Sequence, residues 1–86
     1  MENEVPVTTP AVPLQKPSIG RIVIYHFSAA DTNLNNGLLI APAIITAVWG
    51  DTCVNLKVLA DNPHDQWKTS RNLGEGPDQW SWPPRV

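Results

Sequence analysis

The clearest pattern along the chain is an alternation of apolar and polar residues between Cys53 and Leu59. A period of two is typical of a strand with one face in the core and the other in water. The apolar positions are Val54, Leu56 and Val58, and the polar positions are Asn55 and Lys57. Residues 43–49 precede this run across the turn at 50–52, so the spacing predicts an antiparallel hairpin.

A second strand is predicted from Gly20 to Phe27, where β-branched and aromatic residues dominate. Both sides of this strand are mostly apolar, which is typical of a strand covered on both faces. Ile22, Ile24 and His26 share one side, and Val23, Tyr25 and Phe27 share the other. We interpret His26 as a partly buried strand residue rather than a ligand.

Turn-forming residues divide the rest of the chain into short pieces. Residues 28–37 end in Asn-Asn-Gly, which tolerates positive φ, and are predicted to form an exposed loop with room for one helical turn. Pro42 is expected to break the apolar run before residue 43, and short strands are predicted at 66–70 and 79–82. Five such strands indicate an all-β fold, a small closed or half-closed barrel. An SH3-like and an OB-like barrel both fit, and the tight central hairpin favours the SH3-like form.

The start of the chain follows a different pattern. Four prolines, Pro6, Pro10, Pro13 and Pro17, exclude a helix and disfavour a central strand. We therefore divide the chain into an extended proline-rich N-terminal arm, residues 1–19, and a small β-barrel domain, residues 20–86. A disordered tail is the alternative. Four apolar side chains of the arm are instead expected to fill shallow pockets on a neighbouring chain: Val5, Val7, Val12 and Leu14.

The size of the body favours assembly. A domain this small buries only roughly 60% of the surface of its unfolded chain, so its stability is marginal without further support. Cys53 is the only cysteine and cannot form an intrachain disulfide. We interpret it as a small buried hydrophobic residue. Oligomerisation or docking on a larger particle is the expected source of additional stability.

Charge and hydropathy exclude two classes of partner. The net charge is −2, and the basic residues are scattered singly, whereas nucleic-acid binders carry a basic patch. The N-terminus contains Glu2 and Glu4 and lacks the apolar segment of a signal peptide. The longest apolar stretch, Leu38–Trp49, is too short to cross a bilayer. We expect neither a nucleic acid nor a membrane as partner.

The side chains that could act in catalysis or bind a metal do not form a recognisable active or metal site in the sequence. The histidines, the cysteine and the serines are dispersed, and no group of Cys, His, Asp and Glu has the spacing of a zinc site. No glycine-rich phosphate loop is present. We predict no enzymatic activity, no catalytic residues, no cofactor, no metal and no small-molecule substrate.

Four tryptophans are a large number for 86 residues. We assign Trp49 and Trp67 to the core. Trp80 and Trp82 lie two residues apart and would point to the same side of a strand, where tryptophans are favoured as binding hot spots. We therefore expect Trp80 and Trp82 to form a protein-binding surface.

Five segments of the body carry a family resemblance: Gly20–Val23, Ala43–Ile45, Val48–Asp51, Val54–Leu56, and the ending Trp80-Ser81-Trp82-Pro83-Pro84-Arg85. Over residues 20–86 the chain resembles a group of small virion proteins of tailed bacteriophages. The resemblance implies a non-enzymatic structural protein of the particle, in particular a capsid decoration or cement protein attached through its arm. It also implies synthesis in the host cytoplasm and a final location in the virion.

The implied partners are other virion proteins, above all the major capsid protein, and copies of the chain itself. Two alternatives remain open. One is a neck or tail component of the particle. The other is a small adaptor or inhibitor that binds a host protein through Trp80 and Trp82.

Overall fold

The computed structural model describes residues 15–84, which form five strands and one 3₁₀ helix. The strands are β1 (Ile22–His26), β2 (Ile40–Val48), β3 (Cys53–Val58), β4 (Gln66–Asn72) and β5 (Trp80–Ser81), and the helix spans Ala29–Asn35. The predicted all-β fold and the central hairpin are thereby confirmed. The helical turn also lies in the loop where it was predicted.

All strand pairs are antiparallel, in the order β4-β3-β2-β1-β5. The sheet curls into a half-barrel. Its two ends meet where Leu73, just after β4, bridges to Trp80 of β5. The Gly74 N–H donates to the Trp80 carbonyl oxygen across this junction at 2.8 Å. Consecutive strands form a meander that the last strand joins beside the first, which is the SH3-like order, whereas an OB-fold is a Greek key.

Pro42 does not break the second strand, contrary to expectation. It lies within β2 and pairs with Ile24 of β1. Its carbonyl oxygen accepts a hydrogen bond from the Leu59 N–H, just beyond the end of β3. The amide hydrogen that proline lacks would point to the same side, where β3 has already ended. Pro42 therefore omits only the reciprocal bond to Leu59, beyond the end of β3, and the strand runs through it.

The core fills the concave side of the sheet. β1 contributes Val23 and Tyr25, and Phe27 follows it with its ring 5.0 Å from the Tyr25 ring in an edge-to-face contact. The alternation that predicted β3 is confirmed, since its apolar positions are wholly buried. The remaining core residues are Ala41, Ala43, Ile45, Val54, Leu56, Val58, Ala60 and Trp80.

The loop after the 3₁₀ helix is fixed by one buried amide. Asn35 is wholly buried, and its Nδ2 donates to the carbonyl oxygens of Leu38 and Ile40, both at 2.9 Å. Its Oδ1 accepts from the Asp61 N–H at 2.7 Å. Asn36 and Gly37 have φ values of 51° and 81°, as predicted for the Asn-Asn-Gly turn. Asn35 thus ties this loop to the turn after β3.

The last residues of the arm belong to the packed body. Pro17 is buried, and the Arg21 guanidinium donates to Gln15 Oε1 at 3.1 Å. The Gly20 N–H donates to the Ile45 carbonyl oxygen at 2.8 Å. The predicted contact residues Val5, Val7, Val12 and Leu14 lie outside the described residues.

Candidate protein-binding face

A row of four paired residues crosses the outward side of the sheet. Ile22 lies opposite Ile44, Ile44 opposite Lys57, and Lys57 opposite Trp67. Because side chains alternate along a strand, these four point away from the core. Ile22 is 48% exposed and Trp67 is 61% exposed. The row therefore presents large apolar side chains to solvent at both of its ends.

The neighbouring rows continue this apolar surface. Ile24 lies opposite Pro42, and His26 lies opposite Ile40, which is 52% exposed. Leu59 extends the Ile24 row past the end of β3 and is also exposed. We call the part on β1 and β2 the isoleucine face; it consists of Ile22, Ile24, Ile40, Pro42 and Ile44.

Formal charge is almost absent from this side of the sheet. Among the outward-pointing strand residues of the described chain, Lys57 carries the only formal charge. An antiparallel sheet with one solvated face normally places polar residues on that face. Contiguous exposed apolar surface marks sites of protein interaction. The outward side therefore has the composition of a surface that another protein covers.

Two indoles lie at the β4 end of this surface. Trp49 is 64% exposed, and its Nε1 donates to Asn55 Oδ1 at 2.8 Å. The same oxygen accepts from Thr69 Oγ1 at 3.0 Å and from the Ser70 N–H at 2.8 Å. Asn55 is almost fully buried by these contacts, although its position on β3 points outward. We call this region the tryptophan patch; it consists of Trp49, Lys57 and Trp67.

A shallow groove of about 340 Å³ borders the isoleucine face. Ile24 and Ile40 line its apolar side, and Glu75 lies at its rim. Within it, His26 Nε2 and Ser81 Oγ are 2.7 Å apart and share a hydrogen bond. No acidic side chain of the described residues hydrogen-bonds His26, so the pair lacks the third member of a catalytic triad. The pair supplies a polar contact that can orient a partner on an otherwise apolar surface.

The prediction that Trp80 forms part of a binding surface is wrong, because its side chain is wholly buried. Trp80 lies opposite Tyr25, whose side chain points into the core. Its Nε1 donates to the carbonyl oxygens of Thr52 and Arg71, both at 3.1 Å. Trp82 is half-buried, with its ring 5.3 Å from that of Trp80. Of the two tryptophans at the end of the chain, Trp82 alone keeps some surface that a partner could contact.

The assignment of Trp49 and Trp67 to the core is also wrong. Trp67 lies opposite Lys57, which the alternation in β3 already placed on the outer side. The signal that identifies the outward surface was present in the first strand, whose two sides are both apolar. Only the inner side is buried in the core, and Ile22 on the other side remains exposed.

The concave side of the sheet contains a hydrogen bond between two side chains. The Tyr25 hydroxyl is buried and donates to Asp78 Oδ1 at 2.9 Å. Burial, followed by the contact with the Asp78 carboxylate, raises the pKa of Tyr25 well above its ordinary value of 10.0. The Lys68 ammonium lies over the same ring, 5.8 Å from its centroid. These polar groups act within the body and leave the outward side as the surface available for binding.

Within residues 15–84, no group of three or more His, Cys, Asp or Glu side chains is placed to hold a metal ion. Over the same span, no helix has the length and apolar character needed to cross a membrane. Comparison of the chain with protein-family models, with curated proteins and with solved structures returns no match.

Proposed function

We propose that this chain is a non-enzymatic structural protein of a bacteriophage particle, specifically a capsid decoration or cement protein. It is made in the host cytoplasm and resides in the virion. Its isoleucine face binds the major capsid protein, and its arm reaches a neighbouring chain of the shell.

The observation that carries this proposal is the apolar outward side of the sheet. The inner side of the sheet is covered by the core. On the outward side, Ile22 and Ile40 expose about half of their surface to water. Complete burial of an isoleucine side chain stabilises by roughly 1.5–3 kcal/mol. Burial of several such residues against a partner supplies the support that a body of this size lacks. A docking role accounts both for the exposed apolar side of the sheet and for the small size of the body.

The phage setting rests on the resemblance of the body and its Trp-x-Trp-Pro-Pro-Arg ending. In the structure, Trp80 fills the core and Trp82 packs against it. The Arg21 guanidinium covers the Trp82 ring at 4.9 Å from its centroid. The two tryptophans of the motif therefore help to close the half-barrel. The outward side, rather than this motif, provides the binding surface of the proposal.

Quantitative mass spectrometry of purified virions tests this function. Hundreds of copies per particle are expected for a decoration protein. A dozen copies or fewer would indicate the neck or tail instead, and absence from the virion would favour the adaptor or inhibitor of a host protein.

A pair of matched variants tests the surface. We expect Ile22→Asp to lower the copy number on the particle at least about tenfold, because it places a charge within an apolar contact. Leu34→Asp introduces the same charge at a residue that is 37% exposed and lies on the 3₁₀ helix, outside the sheet. It is expected to leave the copy number unchanged. Equal incorporation of both variants, with equal thermal stability, would contradict docking through the isoleucine face.

A further inference from the structure

We infer that, in the free chain, residues 5–14 of the arm pack on the tryptophan patch of the same molecule. The inference goes beyond the proposed function, which concerns the chain on the particle. The arm covers two exposed indoles before assembly and leaves them when it reaches a neighbouring chain of the shell.

The patch has the chemistry of a site for a proline-rich segment. Such segments dock on exposed aromatic side chains, which pack against the proline rings and the extended main chain. Trp49 and Trp67 offer two exposed indoles on the outward side of the sheet. The hydrogen bond from Trp49 Nε1 to Asn55 holds one indole in place before the arm binds. A fixed aromatic surface lowers the entropic cost of that contact.

The arm leaves the body at the end of the sheet that carries Trp49. Gln15, the first residue that the structure describes, lines a small cavity together with Asp51 and Thr52. These two residues belong to the turn between β2 and β3, and Trp49 lies between the end of β2 and this turn. A segment that leaves the body here therefore starts beside the tryptophan patch of its own molecule.

The sequence of the arm complements the patch. A polyproline II helix has three residues per turn, so residues three apart share one side of it. In that conformation Val7, Pro10 and Pro13 would form one apolar side of the arm. Residues 5–14 contain no charged side chain, so packing them on the indoles desolvates no charge of the arm. The prolines also restrict the unbound segment, which reduces the entropic cost of ordering it.

The positions of these prolines fit the distance to both indoles. Trp67 lies opposite Lys57, which is five residues along the chain from residue 52, or about 17 Å at roughly 3.3 Å per residue. Pro10 is five residues from residue 15, or about 16 Å at roughly 3.1 Å per residue. Pro10 can therefore reach Trp67, and Pro13 lies where the arm passes Trp49.

The covalent connection favours the same molecule over a second copy. A short linker gives a tethered segment an effective concentration on the order of millimolar, which separate copies reach only in concentrated solution. At that concentration, a segment with a Kd of about 0.1 mM covers its own site in about nine molecules of ten. Even a weak contact between arm and patch is thus sufficient to cover the indoles.

Two matched double variants of the full chain test the inference. Val7→Asp with Pro10→Asp places two charges on the side of the arm that meets the indoles. Pro6→Asp with Thr9→Asp also adds two acids and removes one proline, on another side of the arm. Radical oxidation followed by mass spectrometry measures the exposure of each indole of the patch separately. Sedimentation velocity identifies the conditions in which the chain is a monomer.

We expect Trp49 and Trp67 to be oxidised at least about threefold faster in the Val7/Pro10 variant than in the wild-type monomer, because the buried charges release the arm. The Pro6/Thr9 variant should be oxidised at the wild-type rate. Equal melting temperatures of the three proteins would show that the body is intact in each.

A substitution in the patch tests the same contact from the other side. In a Trp67→Ala chain, the Val7/Pro10 substitutions should raise the oxidation of Trp49 much less, because the arm has already lost one of its two indoles. In an Ile40→Ala chain, which changes the opposite end of β2, the same substitutions should keep their full effect.

Three results would overturn the inference. The first is an equal oxidation rate of the indoles in the wild-type chain and the Val7/Pro10 variant. The second is an equal effect of both double variants. The third is protection that appears only at concentrations where the chain dimerises, which would place the arm on a second copy. All of these measurements use the free chain without particles, so they are independent of the copy number that tests the proposed function.

Discussion

Asn55 shows at the scale of a single residue how the outward side is organised. One oxygen of its side chain accepts three hydrogen bonds, from Trp49, Thr69 and Ser70. The Ser70 N–H is free for this bond because Ser70 has a φ of 56° at an irregularity in the pairing of β3 with β4. Asn55 therefore joins an irregular strand to the exposed indole of Trp49.

Replacement of Asn55 by alanine is expected to lower the free energy of unfolding by about 1–3 kcal/mol, because partly buried donors lose their acceptor. Asn55→Asp keeps the accepting oxygen and should cost less. Asn72→Ala, at an exposed position on β4, is the matched control and should be nearly neutral. Urea denaturation measures all three. A loss in Asn55→Ala no larger than in Asn72→Ala would show that the three bonds contribute nothing.

The buried Asn35 gives a second prediction at this scale. Asn35→Asp replaces a donor of two hydrogen bonds by an acceptor that faces the carbonyl oxygens of Leu38 and Ile40. We expect a loss of stability of about 1–3 kcal/mol or more at neutral pH. Asn33→Asp, on the exposed side of the same 3₁₀ helix, makes the same chemical change without burial. Thermal unfolding that is equal in the two variants would contradict the role assigned to Asn35.

The hydroxyl of Tyr25 predicts how stability depends on pH. Its pKa is raised in the folded chain, so the folded state retains a proton that the unfolded state loses. The stabilisation is therefore fully present below pH 10, the ordinary pKa, and is lost progressively as the pH rises above it. Tyr25→Phe should flatten the fall in unfolding free energy between about pH 9 and 11. Parallel curves for the two proteins would contradict this assignment.

At the scale of the elements, the two-residue strand β5 matters more than its length suggests. It pairs with β1, and its Trp80 bridges to the end of β4, so it brings the two ends of the sheet together. Trp80→Phe removes an indole N–H that satisfies two carbonyl oxygens and leaves a cavity in the core. We expect a marked fall in the melting temperature. Trp67→Phe, the same change on the outward side, should leave the melting temperature nearly unchanged.

Local patterns predicted the strands, and long-range pairing decided which side chains they bury. The alternation in β3 correctly identified its buried residues, since successive side chains of a strand point to opposite sides and only one side faces the core. Trp67 lies in a strand that is mostly polar, so the sequence there does not fix its register or its inner face. Trp80 is buried because β5 pairs with β1, more than fifty residues earlier in the chain. No local pattern in the sequence predicts that pairing.

For the whole molecule, the two sides of one sheet differ in burial. The inner side holds the body together with a core that includes Tyr25 and Trp80. The outer side is apolar as well, yet Ile22, Ile40 and Trp67 remain in contact with water. The sequence of the first strand indicates an apolar surface on each side of the sheet, because both sides of that strand are apolar. The identity of the partner is not encoded in that pattern, and the proposal of a capsid shell draws on the resemblance of the body.

Radical footprinting of the protein, free and bound to purified particles, tests the central claim most directly. The method measures how fast each exposed side chain is oxidised. We predict that Ile22 and Ile40 are protected in the bound protein, whereas Leu34 on the 3₁₀ helix reacts at the same rate in both states. Unchanged oxidation of Ile22 and Ile40 on the particle would contradict docking through the outward side of the sheet.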